Sequence, residues 1–202
     1  MVQNKVGRPK KFEREVALDA AVEVFWAKGY DGSSLDDLTK AMGINRPSLY
    51  STFGDKRSLY LDALAAYGAG IGSAPVVAFD EAADPREAVS AFLTVLVENQ
   101  TRSGDRAQGC LMASCAATTA GEIPEVGDML AIGAKAASII LERGFEKFKQ
   151  EKQLPASFSS KAKAGLLLDI MHGFAYRSRA GEGRKNLIAE IEEKVGQVIP
   201  AL

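Results

Sequence analysis

One histidine, His172, and two cysteines, Cys110 and Cys115, stand in a chain of 202 residues. That scarcity removes whole classes of chemistry. A di-iron helical bundle draws acid–histidine pairs from two different helices, and Asp169 with His172 supplies one pair. Acid–base or Ser-His-Asp catalysis would have to use the same histidine, and no G-x-S-x-G surrounds any serine. There is no P-loop, and GAGIGSAP at 68–75 lacks both a preceding strand and the glycine spacing of a dinucleotide site. Neither catalysis nor a cofactor is expected, no metal site is expected near the cysteines, and His172 is expected to be packed or to line a pocket. Two cysteines are too few for a disulfide framework and suit a reducing cytoplasm. No apolar run approaches the roughly 18 residues a bilayer span needs, and the N-terminus lacks the apolar core of a secretory signal, so no membrane is expected. Net charge is only −1, so the molecule as a whole is not a polyelectrolyte binder.

What is present is concentrated in residues 29–56, GYDGSSLDDLTKAMGINRPSLYSTFGDK. This stretch predicts two short helices, at about 35–42 and 46–53, joined by a glycine-centred turn. Ser34 suits the N-cap, its hydroxyl taking a free backbone N–H, and Asp37 completes a box-like pair at the positive helix end. Leu35, Leu38 and Met42 recur at i, i+3, i+7 and make one apolar face. Gly43 stops the helix because glycine enters the left-handed turn conformation without steric cost. Asn45 caps the second helix, and Pro47 sits in its first turn, where a missing N–H loses nothing. Leu49 and Phe53 point inward. The outer face carries Arg46, Ser48, Tyr50, Ser51 and Thr52, hydrogen-bonding groups without a carboxylate, which suits phosphates and base edges. The plain alternative is an ordinary helix pair with a polar outer face.

The segment resembles the DNA-binding domain of the TetR family of bacterial transcriptional regulators. The likeness begins in ALDAAVEVFWAKGYDGSSLDDLTKAMGI, with Phe25 and Gly29-Tyr30 at the family's places, and continues through INRPSLYSTFGDKRSLYLDAL, where Leu49-Tyr50, Phe53 and Lys56 keep its spacing. It covers about fifty residues. Beyond about residue 65 it is one of helix pattern and length alone.

The remaining chain predicts an all-α protein of about nine helices, the number the resemblance also implies. A basic arm at 1–11 holds Lys5, Arg8, Lys10 and Lys11 and no acid. A helix-turn-helix domain is expected over 12–68 and a helical ligand-binding and dimerisation domain over 76–202, with the Gly/Ser/Pro stretch 68–75 between them. The first helix is read over 11–28 with Val16, Ala20, Val24 and Ala27 near one face, and Leu18, Ala21 and Phe25 beside them. A fourth begins after Asp55. Asp84, Pro85 and Glu87 form a strong start for the next. A polar loop follows at 103–108, a small-residue helix at 109–120, and a long helix from Pro124 to about 152. The last two helices are read over 161–179 and 184–199.

Arg46, Ser48 and Ser51 are the residues expected to meet base edges, with the Pro47 ring against a thymine methyl. Tyr50 and Thr52 are expected on phosphates, as the matching Tyr is in the family. Lys56 at a helix N-terminus would clamp another phosphate, and Thr39 and Lys40 would reach the backbone. Gly-Arg-Pro at 7–9 resembles an AT-hook core, in which Arg8 would enter a narrow minor groove with Lys10 and Lys11 on flanking phosphates. A solubilising basic tail is the equal alternative.

The stripes Leu166, Leu167, Ile170, Met171, Phe174 and Leu187, Ile191, Val195, Val198 exceed the needs of a terminal hairpin, and the resemblance implies a homodimer through the last two helices. Two recognition helices about 34–36 Å apart would then read a pseudo-palindromic double-stranded DNA operator. In the family manner, Phe92, Leu96, Met112, Met129, Phe145, Met171 and Phe174 are candidate pocket residues, with ordinary core as the competing role. Few charges fall on these faces, so an apolar or aromatic small-molecule inducer is favoured. QGCLMASCA resembles a branch of the family in which a cysteine senses oxidants or electrophiles, which makes Cys110 a candidate; plain burial of both thiols is the alternative. On an α-helix, residues five apart point about 140° apart, so no disulfide between Cys110 and Cys115 is expected. The sequence thus predicts a ligand-responsive DNA-binding regulator, with repressor chosen over activator. The competing class is a helical ligand-binding or thiol redox-sensing protein with secondary DNA contacts.

Overall fold

The computed structural model describes residues 11–102 and 109–200; Arg8 and Lys10 of the basic arm and the loop expected at 103–108 lie outside them. The described residues are helical, with no strand among them. The chain divides into two compact units, Met1–Ala66 and Tyr67–Leu202.

The first unit contains α1 (Lys11–Lys28), α2 (Leu35–Met42), α3 (Arg46–Phe53) and most of α4 (Lys56–Ala69). Its core is built by Ala17, Leu18, Ala21, Val22, Phe25 and Trp26 of α1 with Leu38, Met42, Leu49, Phe53, Leu59, Tyr60, Ala63 and Leu64. The buried face of α1 differs from the expected one: Val16 and Ala27 are exposed. Among the described side chains of the helix Phe25 and Trp26 are the largest apolar ones and both are fully buried, so their burial sets its rotation. Phe25, Tyr30 and Tyr60 form an aromatic group, with Tyr60 centroids 4.8 Å from Phe25 and 4.9 Å from Tyr30.

The second unit adds α5 (Ala74–Glu81), α6 (Pro85–Gln100), a π-helical turn (Leu111–Ala116) running into α7 (Ala117–Thr119), α8 (Pro124–Gln150), α9 (Ser160–Arg179), α10 (Arg184–Ala189) and α11 (Ile191–Val198). The helix α5 was not expected, because its short apolar run APVVAFDE carries too few residues to show a period. Asp84 caps α6 by accepting the N–H groups of Arg86 and Glu87 at 2.8 and 3.0 Å. The stretch Lys56–Glu81 is long and apolar enough by composition to cross a membrane, but it is two helices broken by a turn at 70–73.

The core of this unit is one cluster containing Phe79, Phe92, Leu96, Phe145, Phe148, Phe174, Leu187, Ile191, Val195 and Val198. The stripe of the last helix is therefore spent inside its own chain: Leu187, Ile191, Val195 and Val198 are buried without a second copy. Its expected surplus assumed one helix over 184–199. The chain instead breaks at Glu190 into α10 and α11, and both fragments supply buried residues to the common core. Apolar side chains that remain outside include Ile132 and Ile139 of α8, Tyr176 of α9 and Ile188 of α10.

Candidate nucleic-acid interface

The helix-turn-helix is held by local hydrogen bonds that the sequence specifies. Ser34 Oγ accepts the Asp37 N–H at 3.0 Å while Asp37 Oδ2 accepts the Ser34 N–H at 3.0 Å, a reciprocal capping box. Gly43 ends α2 with φ +65°, the left-handed conformation that a Cβ disfavours. Asn45 Oδ1 accepts the Ser48 N–H at 2.8 Å and starts α3. Leu49 and Phe53 are buried beneath it. Tyr50, Arg46, Pro47 and Ser51 are exposed, and Ser48 and Thr52 are half-buried. The expected outer face is thus present as one continuous surface of α3.

The surface differs from expectation in one respect: α3 itself has no carboxylate, but one reaches it from α2. Asp36 Oδ1 accepts from Arg46 Nε at 3.3 Å and from Arg46 Nη2 at 2.8 Å. Sequence patterns address neighbours within a helix, and this pair is ten residues apart across a turn. Ser51 Oγ donates to Ser48 O at 3.1 Å. Thr39 Oγ1 donates to Leu35 O at 2.8 Å, so its proton is committed within α2. Lys40 is exposed.

Lys56 stands at the first position of α4, its Nζ 4.4 Å from the centroid of the Tyr30 ring. A cation held over an aromatic face keeps its charge and loses mobility. Asp55, just before it, accepts the Ser58 N–H at 2.7 Å, and that hydrogen bond holds its carboxyl below the usual range. Asp37 lies well below the usual carboxylate range, first because Lys28 donates to it, with Nζ 2.7 Å from Oδ1, and then through Ser34. Lys28 and Asp36, and the contact of Tyr30 with Lys56, are what motif spacing alone does not find: each residue acts on a partner distant in sequence.

In the second unit, the candidate ligand residues separate into two groups. Phe92, Leu96, Phe145 and Phe174 are fully or almost fully buried in the apolar cluster, and Met171 packs against it partly exposed. Met112, Met129 and Cys110 are half-buried. An open surface cleft of about 400 Å³ lies elsewhere, lined by Lys149, Lys152, Gln153, Leu154, Pro155 and Ala156. Asp169 and His172, the latter expected to be packed or to line a pocket, are exposed on α9 of the single chain.

Cys110 precedes a π-helical turn rather than starting an α-helix, with φ −101° and ψ 127°. Tyr67 Oη donates to its Sγ at 3.4 Å. Burial pushes the Tyr67 hydroxyl up, and the nearby Cys110 and Cys115 sulfurs push it further. Cys115 is 3% exposed, and burial raises its thiol against a smaller opposing effect of Arg179. The 100° step assumed for this segment does not hold, because the π turn winds more widely, closing i→i+5 hydrogen bonds.

Residues 17–63 match the model of the "bacterial regulatory proteins, tetR family". The chain is 34% identical over 153 residues to an uncharacterised HTH-type transcriptional regulator, YezE of Bacillus subtilis, covering 76% of this chain and 70% of that protein. It is 29% identical over 192 residues to the HTH-type transcriptional repressor ComR of Escherichia coli, covering 93% and 89% respectively. Its fold is similar to that of a cysteine-substituted form of the TetR-family regulator CifR complexed with 26-base-pair double-stranded operator DNA. There the TM-score is 0.82 and the identity 31%, over 94% of this chain and 98% of that one.

Proposed function

Because this chain belongs to the TetR family of bacterial transcriptional regulators, we propose that it is a ligand-released repressor acting as a homodimer on a pseudo-palindromic operator. The observation that carries this is the outer face of α3, where Arg46, Pro47, Tyr50 and Ser51 stand exposed on a helix whose start is capped by the Asn45 side chain. Arg46, Ser48 and Ser51 read base edges, with Pro47 on a thymine methyl. Tyr50, Thr52, Lys56 and Lys40 hold phosphates, which set register and affinity without reading sequence. Thr39 adds a phosphate contact once its hydroxyl turns from Leu35 O. Arg8 enters the minor groove, with Lys10 and Lys11 on flanking phosphates. Similarity to a repressor, ComR, and to a regulator solved on operator DNA supports this choice.

Dimerisation uses the outward sides of α9 and α10, where Tyr176 and Ile188 remain exposed after the core is complete. The inducer is a small apolar or reactive molecule taken up by the second unit. Phe92, Leu96, Met112, Met129, Phe145, Met171 and Phe174 supply the apolar surround, and Cys110 a half-buried sulfur beside the Tyr67 hydroxyl. A ligand that binds one conformation better than the other shifts the equilibrium by that difference, which is all that release from the operator requires.

The test is fluorescence anisotropy of the intact protein on duplex DNA from upstream of its own coding region, and on duplexes selected from a randomised pool. Saturable nanomolar binding that falls steeply with salt and is lost on a scrambled duplex is expected. Binding of equal strength to every duplex, selected ones included, would remove the repressor assignment and leave a ligand- or redox-binding role for the second unit.

A further inference from the structure

Asp36 is a carboxylate on a surface whose neighbours face polyanionic DNA, and such a charge lowers affinity for every duplex. The contact itself adds little to stability, since side chains 79% and 55% exposed in the Asp36–Arg46 pair are too well solvated for it to hold the fold. What the pair does is geometric. One oxygen, Oδ1, takes hydrogens from both Nε and Nη2 of Arg46, so the carboxylate occupies the long edge of the guanidinium. The five donors of that group lie in one plane. With the Nε edge engaged, the Nη1/Nη2 fork points away from Asp36, and this fork matches the N7 and O6 acceptors of guanine.

Asp36 is itself held. It lies in the first turn of α2, inside the Ser34–Asp37 capping box, and its carbonyl also accepts from Thr39 Oγ1 at 3.3 Å. A carboxylate carried on a fixed helical backbone thus positions a flexible arginine that has no other described partner. The same carboxylate repels phosphate, so Arg46 is kept from collapsing onto the nearest backbone oxygen.

We infer that Asp36 is a specificity-determining positioning residue: it aligns Arg46 to read guanine and gives up general DNA affinity in exchange for discrimination. This rests on the assignment of Arg46 to base reading, and the experiment separates the two. Wild type, Asp36→Asn, Arg46→Ala and the double variant are titrated by anisotropy against the duplex selected by wild type from a randomised pool. Each is also titrated against that duplex with each G·C pair replaced in turn and against a scrambled duplex, with thermal melting as a check on folding. Arg46→Ala should abolish preference at one G·C position of each half-site, a loss of about 5- to 150-fold per position. Asp36→Asn should lose most of the same preference, at the same position, while binding the scrambled duplex more tightly than wild type. In the Arg46→Ala background, Asp36→Asn should raise binding to all duplexes equally. Unchanged preference in Asp36→Asn, with Arg46→Ala still losing it, would overturn the positioning role and leave Arg46 as the reader. A preference that survives Arg46→Ala would overturn both. Asp36→Glu, whose extra methylene keeps the charge and shifts the oxygen, should bind the scrambled duplex like wild type and keep part of the preference. Equal loss in Asp36→Glu and a less stable fold would instead assign Asp36 to the helix start alone and overturn the inference.

Discussion

Gly144 and Phe79 share one space: a Cβ built on Gly144 would come 2.5 Å from Phe79 Cε1. The ring cannot swing aside cheaply, because Phe79 is 1% exposed and packs edge-on to Phe145, with centroids 5.0 Å apart. The missing side chain is what lets α5 lie against α8. Gly144→Ala should therefore cost about 1–3 kcal/mol, the usual range for overpacking. Urea unfolding that shows no loss of stability would mean the Phe79 ring has another place to go.

Ser34 and Asp37 cap each other at the start of the helix that precedes the recognition helix. Ser34→Ala should cost about 0.5–2 kcal/mol, read by chemical denaturation. Because Lys28 and Ser34 depress the folded Asp37 carboxyl, its contribution is present above the ordinary carboxylate pKa of about 4. It is lost as pH falls through the lower folded value. A carbon-detected NMR titration should find Asp37 still ionised where exposed aspartates are half protonated, and Lys28→Met should move it back up.

Lys56 is held over Tyr30 beside the recognition helix. If it contacts one phosphate per site, Lys56→Ala should weaken binding to all duplexes alike. It should also make the slope of log affinity against log salt shallower by about 0.9 per contact. Tyr30→Leu should give a smaller version of the same change. A sequence-dependent effect of Lys56→Ala would place this lysine on a base instead.

Cys110 is half-buried and Cys115 is buried with a raised thiol. Alkylation with iodoacetamide at neutral pH, followed by peptide mass spectrometry, should modify Cys110 well before Cys115. Equal rates at pH 7 would show that the π turn opens in solution.

Gln100 is 1% exposed, and neither its amide nitrogen nor its amide oxygen has a partner among the described residues. Its main-chain carbonyl accepts from Ser178 Oγ at 3.1 Å, so only the side chain is unsatisfied. Gln100→Met keeps the length and removes both groups. It should leave stability unchanged or raise it by about 1–3 kcal/mol, the cost of a buried unpaired polar group. A fall in Tm would reveal a bound water at the amide.

Residues 34–53 were legible because their signals are local. A cap, an acid three residues on, a glycine at the turn and an asparagine cap each act within one helical turn. Ser34, Asp37, Gly43 and Asn45 accordingly stand as the residues alone predict. The second unit was legible in its helices and less so in its faces. Val195 and Val198 read equally well as interface or core, because period 3.6 reports an apolar side and not what covers it. The segment 109–120 read as α-helix since nothing in LMASCA distinguishes an i→i+4 from an i→i+5 pattern.

From sequence alone came the all-α class, the helix-turn-helix with its outward polar face, and the family, all properties carried by neighbours a few residues apart. Tertiary structure alone decided that Asp36 meets Arg46, that Lys56 rests on Tyr30, that Tyr67 donates to Cys110 and that the last helix serves its own core. Each of those contacts joins residues 10 to more than 40 positions apart or depends on which of two apolar surfaces arrives first. Short-range periodicity carries no information about either.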